Sequence, residues 1–168
     1  GKEVGALKGY INHLQSLKKN NEYLCVAFDS TVESFRNKLF TEYKSSNHID
    51  PEILQQFPLA EEVTELLGIT LLSMKEYEAD DGIASVCTLF EKEFNKIIIG
   101  SLDKDLMQCV KKDKIIMYST RYKNFTNENG VFEKFGVSPQ QIPDFLALIG
   151  DSSDCLLYTS DAADELRS

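Results

Sequence analysis

The stretch Ile97-Ile98-Ile99-Gly100-Ser101-Leu102-Asp103-Lys104-Asp105 sets an unbroken apolar run just ahead of two carboxylates. Such a run is typical of a strand buried on both faces of a parallel sheet. The carboxylates then fall beyond its carboxyl end, where open α/β sheets bind their ligands. The pattern recurs in both directions along the chain. Leu24-Cys25-Val26-Ala27-Phe28 runs into Asp29, and Ile69 to Leu72 leads through a short loop to Glu78-Ala79-Asp80-Asp81. A last acidic pair, Asp151 and Asp154, follows Ile149-Gly150.

Between these points the chain alternates helix and strand. Val4, Leu7, Tyr10, Ile11, Leu14 and Leu17 recur at helical spacing up to Lys18-Lys19-Asn20-Asn21, and a strand is expected over 23–28. Residues 31–47 are polar and basic around Phe35, Leu39, Phe40 and Tyr43, which predicts a weakly anchored helix, with 31–50 the least ordered internal segment. Pro51 opens a helix expected to run to about Leu67, Gly68 ends it, and a strand follows over 69–72. A helix over 79–94, strands at 97–99 and 115–118, and a helix over 139–149 complete the series. The order implies an α/β fold with a mainly parallel central sheet flanked by helices.

Composition bounds the function. With 168 residues, 42% hydrophobic and 27% charged, the chain suits one domain with one core. No apolar stretch nears the roughly 20 residues that span a bilayer, and no signal-peptide pattern stands at the start, so no membrane partner and a cytoplasmic location are expected. Cys25, Cys87, Cys109 and Cys155 form no CxxC pair, and the first three sit in apolar segments, so neither disulfide nor zinc is expected. The net charge of −9 argues against a polyanion partner only globally: setting the eight clustered carboxylates aside takes −9 to −1. Arg36, Lys38, Lys44, Lys111, Lys112, Lys114, Arg121 and Lys123 then stand out as basic positions, and a solvated face is the plain alternative for them.

Carboxylates gathered together raise one another's pKa unless a cation neutralises them. Hard divalent ions bind through oxygen and suit such a nest. Two of them roughly 3.5–4 Å apart form the usual apparatus for in-line attack on a phosphodiester. Asp80, Asp81 and Asp103 read singly as helix caps. One cap per helix does not account for Glu-x-Asp-Asp, Asp-x-Asp and Asp-x-x-Asp together. The expectation is that Asp29, Glu78, Asp80, Asp81, Asp103, Asp105, Asp151 and Asp154 gather at the sheet's carboxyl edge.

Taken with Phe35-Arg36, Tyr43-Lys44, Tyr77, Leu106, Gln108, Lys134-Phe135-Gly136-Val137, Pro139 and 144–154, these motifs resemble the 5′→3′ exonuclease and flap-endonuclease family, which includes the N-terminal nuclease domain of bacterial DNA polymerase I. The resemblance covers residues 1–154. It implies a PIN-like 5′ nuclease fold and a hydrolase that acts on DNA phosphodiester bonds with two Mg²⁺ ions, for which Mn²⁺ substitutes. The implied substrate is DNA with a 5′ flap, nick or end, or an RNA–DNA hybrid, bound by a monomer. Asp29, Glu78 and Asp80 match the first metal site, and Asp81, Asp103, Asp105, Asp151 and Asp154 the second or its surroundings. Arg36 and Lys44 match a segment that arches over the site, with Lys44 on the scissile phosphate as a catalytic residue.

The chain also departs from that pattern. It starts after the family's first strand and its Asp-Gly pair, Asn47 replaces a basic residue, and Leu102 replaces a small residue or proline. The C-terminal helix–hairpin–helix is missing, and residues 155–168 match nothing in the family and read as a non-native tail. Weak or absent activity is therefore expected of this fragment. Two rival readings stand beside the nuclease. One is a haloacid-dehalogenase-type Mg²⁺ phosphatase, built on Asp103-Lys104-Asp105 and Gly150-Asp151; the other is a non-catalytic nucleic-acid-binding fragment.

Overall fold

The computed structural model describes residues 4–29, 34–41, 43–44 and 50–150. Asp151, Asp154 and the tail at 155–168 lie outside the described residues, as do 31–33, 42 and 45–49 of the segment expected to be least ordered. The chain divides into two compact units, residues 1–38 with 46–82 and residues 39–45 with 83–168.

In the first unit, helix α1 (Gly5–Asn20) turns Leu7, Tyr10, Ile11, Leu14 and Leu17 inward, as their spacing predicts, whereas Val4, expected in the same stripe, precedes the helix and is exposed. Val4 provides no side-chain cap, and the buried Gln56 does so from a distance: its Oε1 accepts the Leu7 amide at 3.0 Å. Gln56 explains part of a misread helix. The run expected from Pro51 to Leu67 is split into α3 (Pro51–Leu54) and α4 (Phe57–Leu66). Pro58 has no amide hydrogen to give and crowds the turn before it, so a new helix starts there and frees Gln56 to face α1. Tyr10 donates to or accepts from Thr64 Oγ1 at 2.6 Å, and Phe28 packs edge-on against Tyr10 and Phe57. Strands β1 (Cys25–Phe28) and β2 (Thr70–Ser73) pair in parallel, Cys25 with Thr70 through Phe28 with Ser73. Parallel pairing sets the carboxyl ends of both strands side by side, so Asp29 emerges next to the loop that leaves β2.

In the second unit, β3 (Ile97–Gly100) pairs in parallel with β4 (Ile115–Ser119), and β4 pairs antiparallel with β5 (Asn124–Thr126). The α/β class is as expected, with parallel pairing in both sheets; the antiparallel β5 was not anticipated. The expectation that the Ile97–Ile99 run is buried on both faces fails at Ile98, which is 46% exposed while Ile99 is 4% exposed. A parallel strand of this composition normally has helices over both faces; among the described residues only one face of β3 is covered. Helix α5 (Ala79–Phe90) stops four residues short of the expected end, closing in a turn where Phe94 bonds back to Phe90. The core joins Cys87, Ile99, Leu106, Met107, Val110, Ile115, Met117, Val131 and Ile142. Helix α6 (Glu128–Phe135) was missed: Asn-Glu-Asn-Gly reads as a turn, yet Asn127 Oδ1 caps the Gly130 amide at 3.1 Å, and Gly136 ends the helix at φ 73°. The last predicted helix is a 3₁₀ turn (Pro139–Gln141) running into α7 (Ile142–Ile149). Cys87 is buried and Cys109 half-buried, whereas Cys25, expected inside, is exposed at the head of β1.

Ile142→Ala, at a site with 0% exposure, is expected to lower the unfolding free energy in urea by about 2–5 kcal/mol. Burial, opposed by the Thr64 hydrogen bond, raises the Tyr10 pKa above its ordinary 10.0. The folded state thus favours the protonated phenol, a contribution present below pH 10 and lost as pH rises through the higher folded value. The stability difference between the protein and Tyr10→Phe should shrink over that alkaline range.

Candidate functional site

The first group of carboxylates is organised by the N-terminus of α5. Glu78 precedes the helix, and Asp80 and Asp81 lie in its first turn, all three half-buried. The first amides of a helix have no partner within it and carry partial positive charge, which favours anions there. Asp29 Oδ1 accepts the Ala79 amide at 2.8 Å, tying the end of β1 to the start of α5. Asp81 Oδ2 reaches back to the Glu78 amide at 3.0 Å, the return half of a capping box. Arg36 completes the arrangement with two parallel hydrogen bonds of 2.8 Å each to the two Asp81 oxygens.

Arg36 is delivered by the short helix α2 (Phe35–Leu39), which docks on the connection between β2 and α5. The Phe35 amide donates to Glu76 O at 2.9 Å, and the Phe35 ring sits 5.6 Å from Tyr77. Lys38 pairs with Glu76, and Glu76 holds φ at 65°, a left-handed turn that aims its carbonyl at α2. Ser34 was not among the expected site residues. It is 5% exposed, caps α2 through Asn37, and its Oγ lies 3.1 Å from Glu78 Oε1. The legible signal was Ser-x-x-Asn ahead of an apolar residue, a capping pattern with Asn in place of Glu or Gln.

The second unit holds Asp103, Asp105 and Lys44. Asp103 is exposed, its amide bonds to Ser101 Oγ at 3.0 Å, and its Oδ1 accepts the Asp105 amide at 2.9 Å. Asp105 opens a 3₁₀ turn (Asp105–Cys109) whose Leu106 and Met107 are buried in the core, and its own Oδ1 is buried. The apolar pair following the acid thus fixes where the acid stands. Lys44 has φ 52°, and its Nζ lies 5.3 Å from the Tyr43 ring centroid, with Tyr43 buried. Elsewhere Lys111 pairs with Glu91 at 2.7 Å, and that hydrogen bond holds the Glu91 carboxyl below its usual range.

For a divalent cation the donor chemistry fits: these are carboxylate oxygens, the ligands hard ions prefer. Among the described residues, however, no three acidic, histidine or cysteine side chains are grouped closely enough to hold one. Asp29 and Asp81 instead hold backbone amides and Arg36. No helix among the described residues is long and apolar enough to cross a membrane.

The fold is that of the 5′ nucleases. Phage T5 5′-exonuclease with divalent zinc bound superposes with a TM-score of 0.75 at 19% identity, over 95% of this chain and 66% of that one. A phage T5 flap endonuclease in a pseudo-enzyme–product complex with DNA and metal ions superposes at 0.74 and 20% identity, over 95% and 65%. The chain belongs to the family described as 5′-3′ exonuclease, N-terminal resolvase-like domain, whose model matches residues 1–136. It is 40% identical to a 5′-3′ exonuclease of Aquifex aeolicus over 92% of its own length and 54% of the relative's. It is 36% identical to DNA polymerase I of Mycobacterium bovis over 93% of its own length and 18% of the polymerase. The chain therefore spans about half of the exonuclease and under a fifth of the polymerase. The phosphatase reading of Asp-x-Asp gives way to this family.

A double-mutant cycle of Arg36→Gln with Asp81→Asn, followed by chemical denaturation, should return a coupling of about 1 kcal/mol, reduced from that of a buried pair because both side chains retain 32% and 24% exposure. A coupling near zero would mean that the pair does not anchor α2.

Proposed function

We propose that this chain is the metal-dependent core of a 5′→3′ exonuclease or flap endonuclease that hydrolyses DNA phosphodiester bonds. The observation that supports the reading is that Asp29 takes the Ala79 amide and Asp81 the Glu78 amide where Asp80 and Asp81 open α5, in a chain that belongs to this family. DNA with a 5′ flap, nick or end is the substrate class, RNA–DNA hybrids included, and the protein acts as a cytoplasmic monomer. The relatives' names and the metal- and DNA-containing phage structures support the DNA substrate and the divalent-metal requirement.

Asp29, Glu78 and Asp80 would hold one Mg²⁺, and Asp103 and Asp105, with Asp151 and Asp154, a second; Mn²⁺ would substitute. Bound there, divalent ions lower the pKa of a ligated water and brace the leaving oxygen. The chain's own residues do the rest. Asp29 keeps its carboxylate at the positive end of α5 and the Ser34 hydroxyl holds that of Glu78, so their charge is held in place before any ion arrives. Asp81 is engaged by Arg36, which makes it a less direct ligand and gives Arg36 a fixed starting position. Lys44 would meet the phosphate that carries the developing charge.

In a protein that carries this chain together with the family's first strand and C-terminal helix–hairpin–helix, cleavage of a labelled 5′-flap oligonucleotide should require Mg²⁺ or Mn²⁺ and fall by at least about 100-fold in Asp103→Ala, with the fold intact by circular dichroism. Cleavage that persists in chelator, or survives Asp103→Ala undiminished, contradicts the reading.

A further inference from the structure

The nuclease reading leaves the hairpin of β4 and β5 without a role. Residues 111–125 carry five basic residues against one Asp, together with Tyr118, Tyr122 and Phe125. Lys111 is taken up by Glu91, and the Lys112 amide is held by Glu128 Oε2 at 3.1 Å. The hairpin tip is different. Arg121, Tyr122 and Lys123 are all exposed, with the Arg121 guanidinium 5.5 Å from the Tyr122 ring centroid. The turn is built to hold them. Ser119 accepts the Tyr122 amide on its Oγ at 3.0 Å and the Lys123 amide on its carbonyl at 2.8 Å, and Lys123 adopts φ 54°. A left-handed lysine costs on the order of 1 kcal/mol where glycine would cost nothing.

The sheet continues the surface. Strand alternation and register place Ile98, Gly100, Ile116, Tyr118 and Phe125 on the face opposite the core. Phe125 is 60% exposed, its ring tilted against that of Tyr118 with centroids 4.9 Å apart. Among the described residues, nothing lies within 4 Å of a Cβ built at Gly100. A groove of about 370 Å³ on this side is lined by Lys96, Ile98, Asp113, Ile116, Phe125 and Asn127. Asp113 is engaged by the Asn127 amide at 2.9 Å. Lys96 borders that groove, and Arg121 and Lys123 lie exposed in the turn that joins the strands of Tyr118 and Phe125.

We propose that this face binds single-stranded nucleic acid, its bases laid on Phe125, Tyr122 and Ile98 and its phosphates met by Arg121, Lys123 and Lys96. Charge complementarity selects the occupant. A single strand offers an exposed π-face and a phosphate at every residue, which is what aromatic platforms edged with cations take up. In a paired duplex the bases are stacked on one another and cannot reach such a floor. The proposal rests on the nuclease reading in that it gives the substrate a second contact.

The test is fluorescence anisotropy with a labelled oligothymidylate of about 12 nucleotides, a length within one ordinary single-strand site, in EDTA so that metal chemistry plays no part. Tyr122→Ala with Phe125→Ala should weaken binding at least about fivefold, the low end for loss of one base–aromatic stack. Arg121→Gln with Lys123→Gln should weaken it and flatten its salt dependence, while Lys18→Gln with Lys19→Gln, the same charge change on α1, should alter neither. Unchanged binding in the hairpin variants, an equal loss in the α1 control, or tighter binding of a duplex with the same sensitivity overturns the proposal. In the unsubstituted protein, oligonucleotide-induced amide shifts should concentrate in 96–100 and 116–126; shifts confined elsewhere overturn it without recourse to variants. Loss of cleavage in Asp103→Ala alongside unaffected hairpin variants would sink this site and leave the nuclease reading standing.

Discussion

The positive end of α5 is the constraint on which the first unit's acidic residues depend. Several carboxylates at one place repel each other, and in this protein the repulsion is met by fixed partial charge and one guanidinium. Asp29 takes the Ala79 amide, Asp81 takes the Glu78 amide, and Arg36 grips both Asp81 oxygens. Helix N-termini contribute roughly 0.3–1 kcal/mol per favourable charge at exposed sites. The bidentate Arg36 adds charge-assisted hydrogen bonds to that for Asp81. The parallel pairing of β1 with β2 is what delivers Asp29 to that helix end, so sheet register and electrostatics are one design.

The second unit positions its acids differently. No long helix caps Asp103; its own side chain turns the backbone by accepting the Asp105 amide. Leu106 and Met107 then anchor the turn among Ile99, Ile115, Met117, Val131 and Ile142. The acid closest to the core is held by its apolar neighbours, and the exposed acid by the backbone. Substitutions deep in this core therefore act on Asp105 through the 3₁₀ turn as well as on stability.

Periodicity revealed α1, α5 and the parallel strands, because one buried stripe or one apolar run decides each of them. It missed α6, whose inward commitment is little more than Val131 and whose opening Asn-Glu-Asn-Gly has turn chemistry. It overran Pro58, although the proline itself was the signal. Ile98 was misread because apolar composition reports what a strand tolerates, not how many of its faces are covered. At the site, strand-end logic located Asp29 and Asp103 correctly beyond β1 and β3. The pairing of Arg36 with Asp81 was not legible, since it joins residues 45 apart through a docked helix that local pattern cannot place.

The central claim is that the carboxylates at the start of α5 and at Asp103–Asp105 are divalent-cation ligands rather than helix caps alone. Backbone amide spectra recorded during titration with substoichiometric Mn²⁺ test it most directly, because the paramagnetic ion broadens only nearby signals. The account predicts early loss of the Ala79, Asp80 and Asp105 amides, reversed by excess Mg²⁺. Broadening spread over exposed acids such as Glu62 and Glu65, with Ala79 and Asp105 untouched, would contradict it.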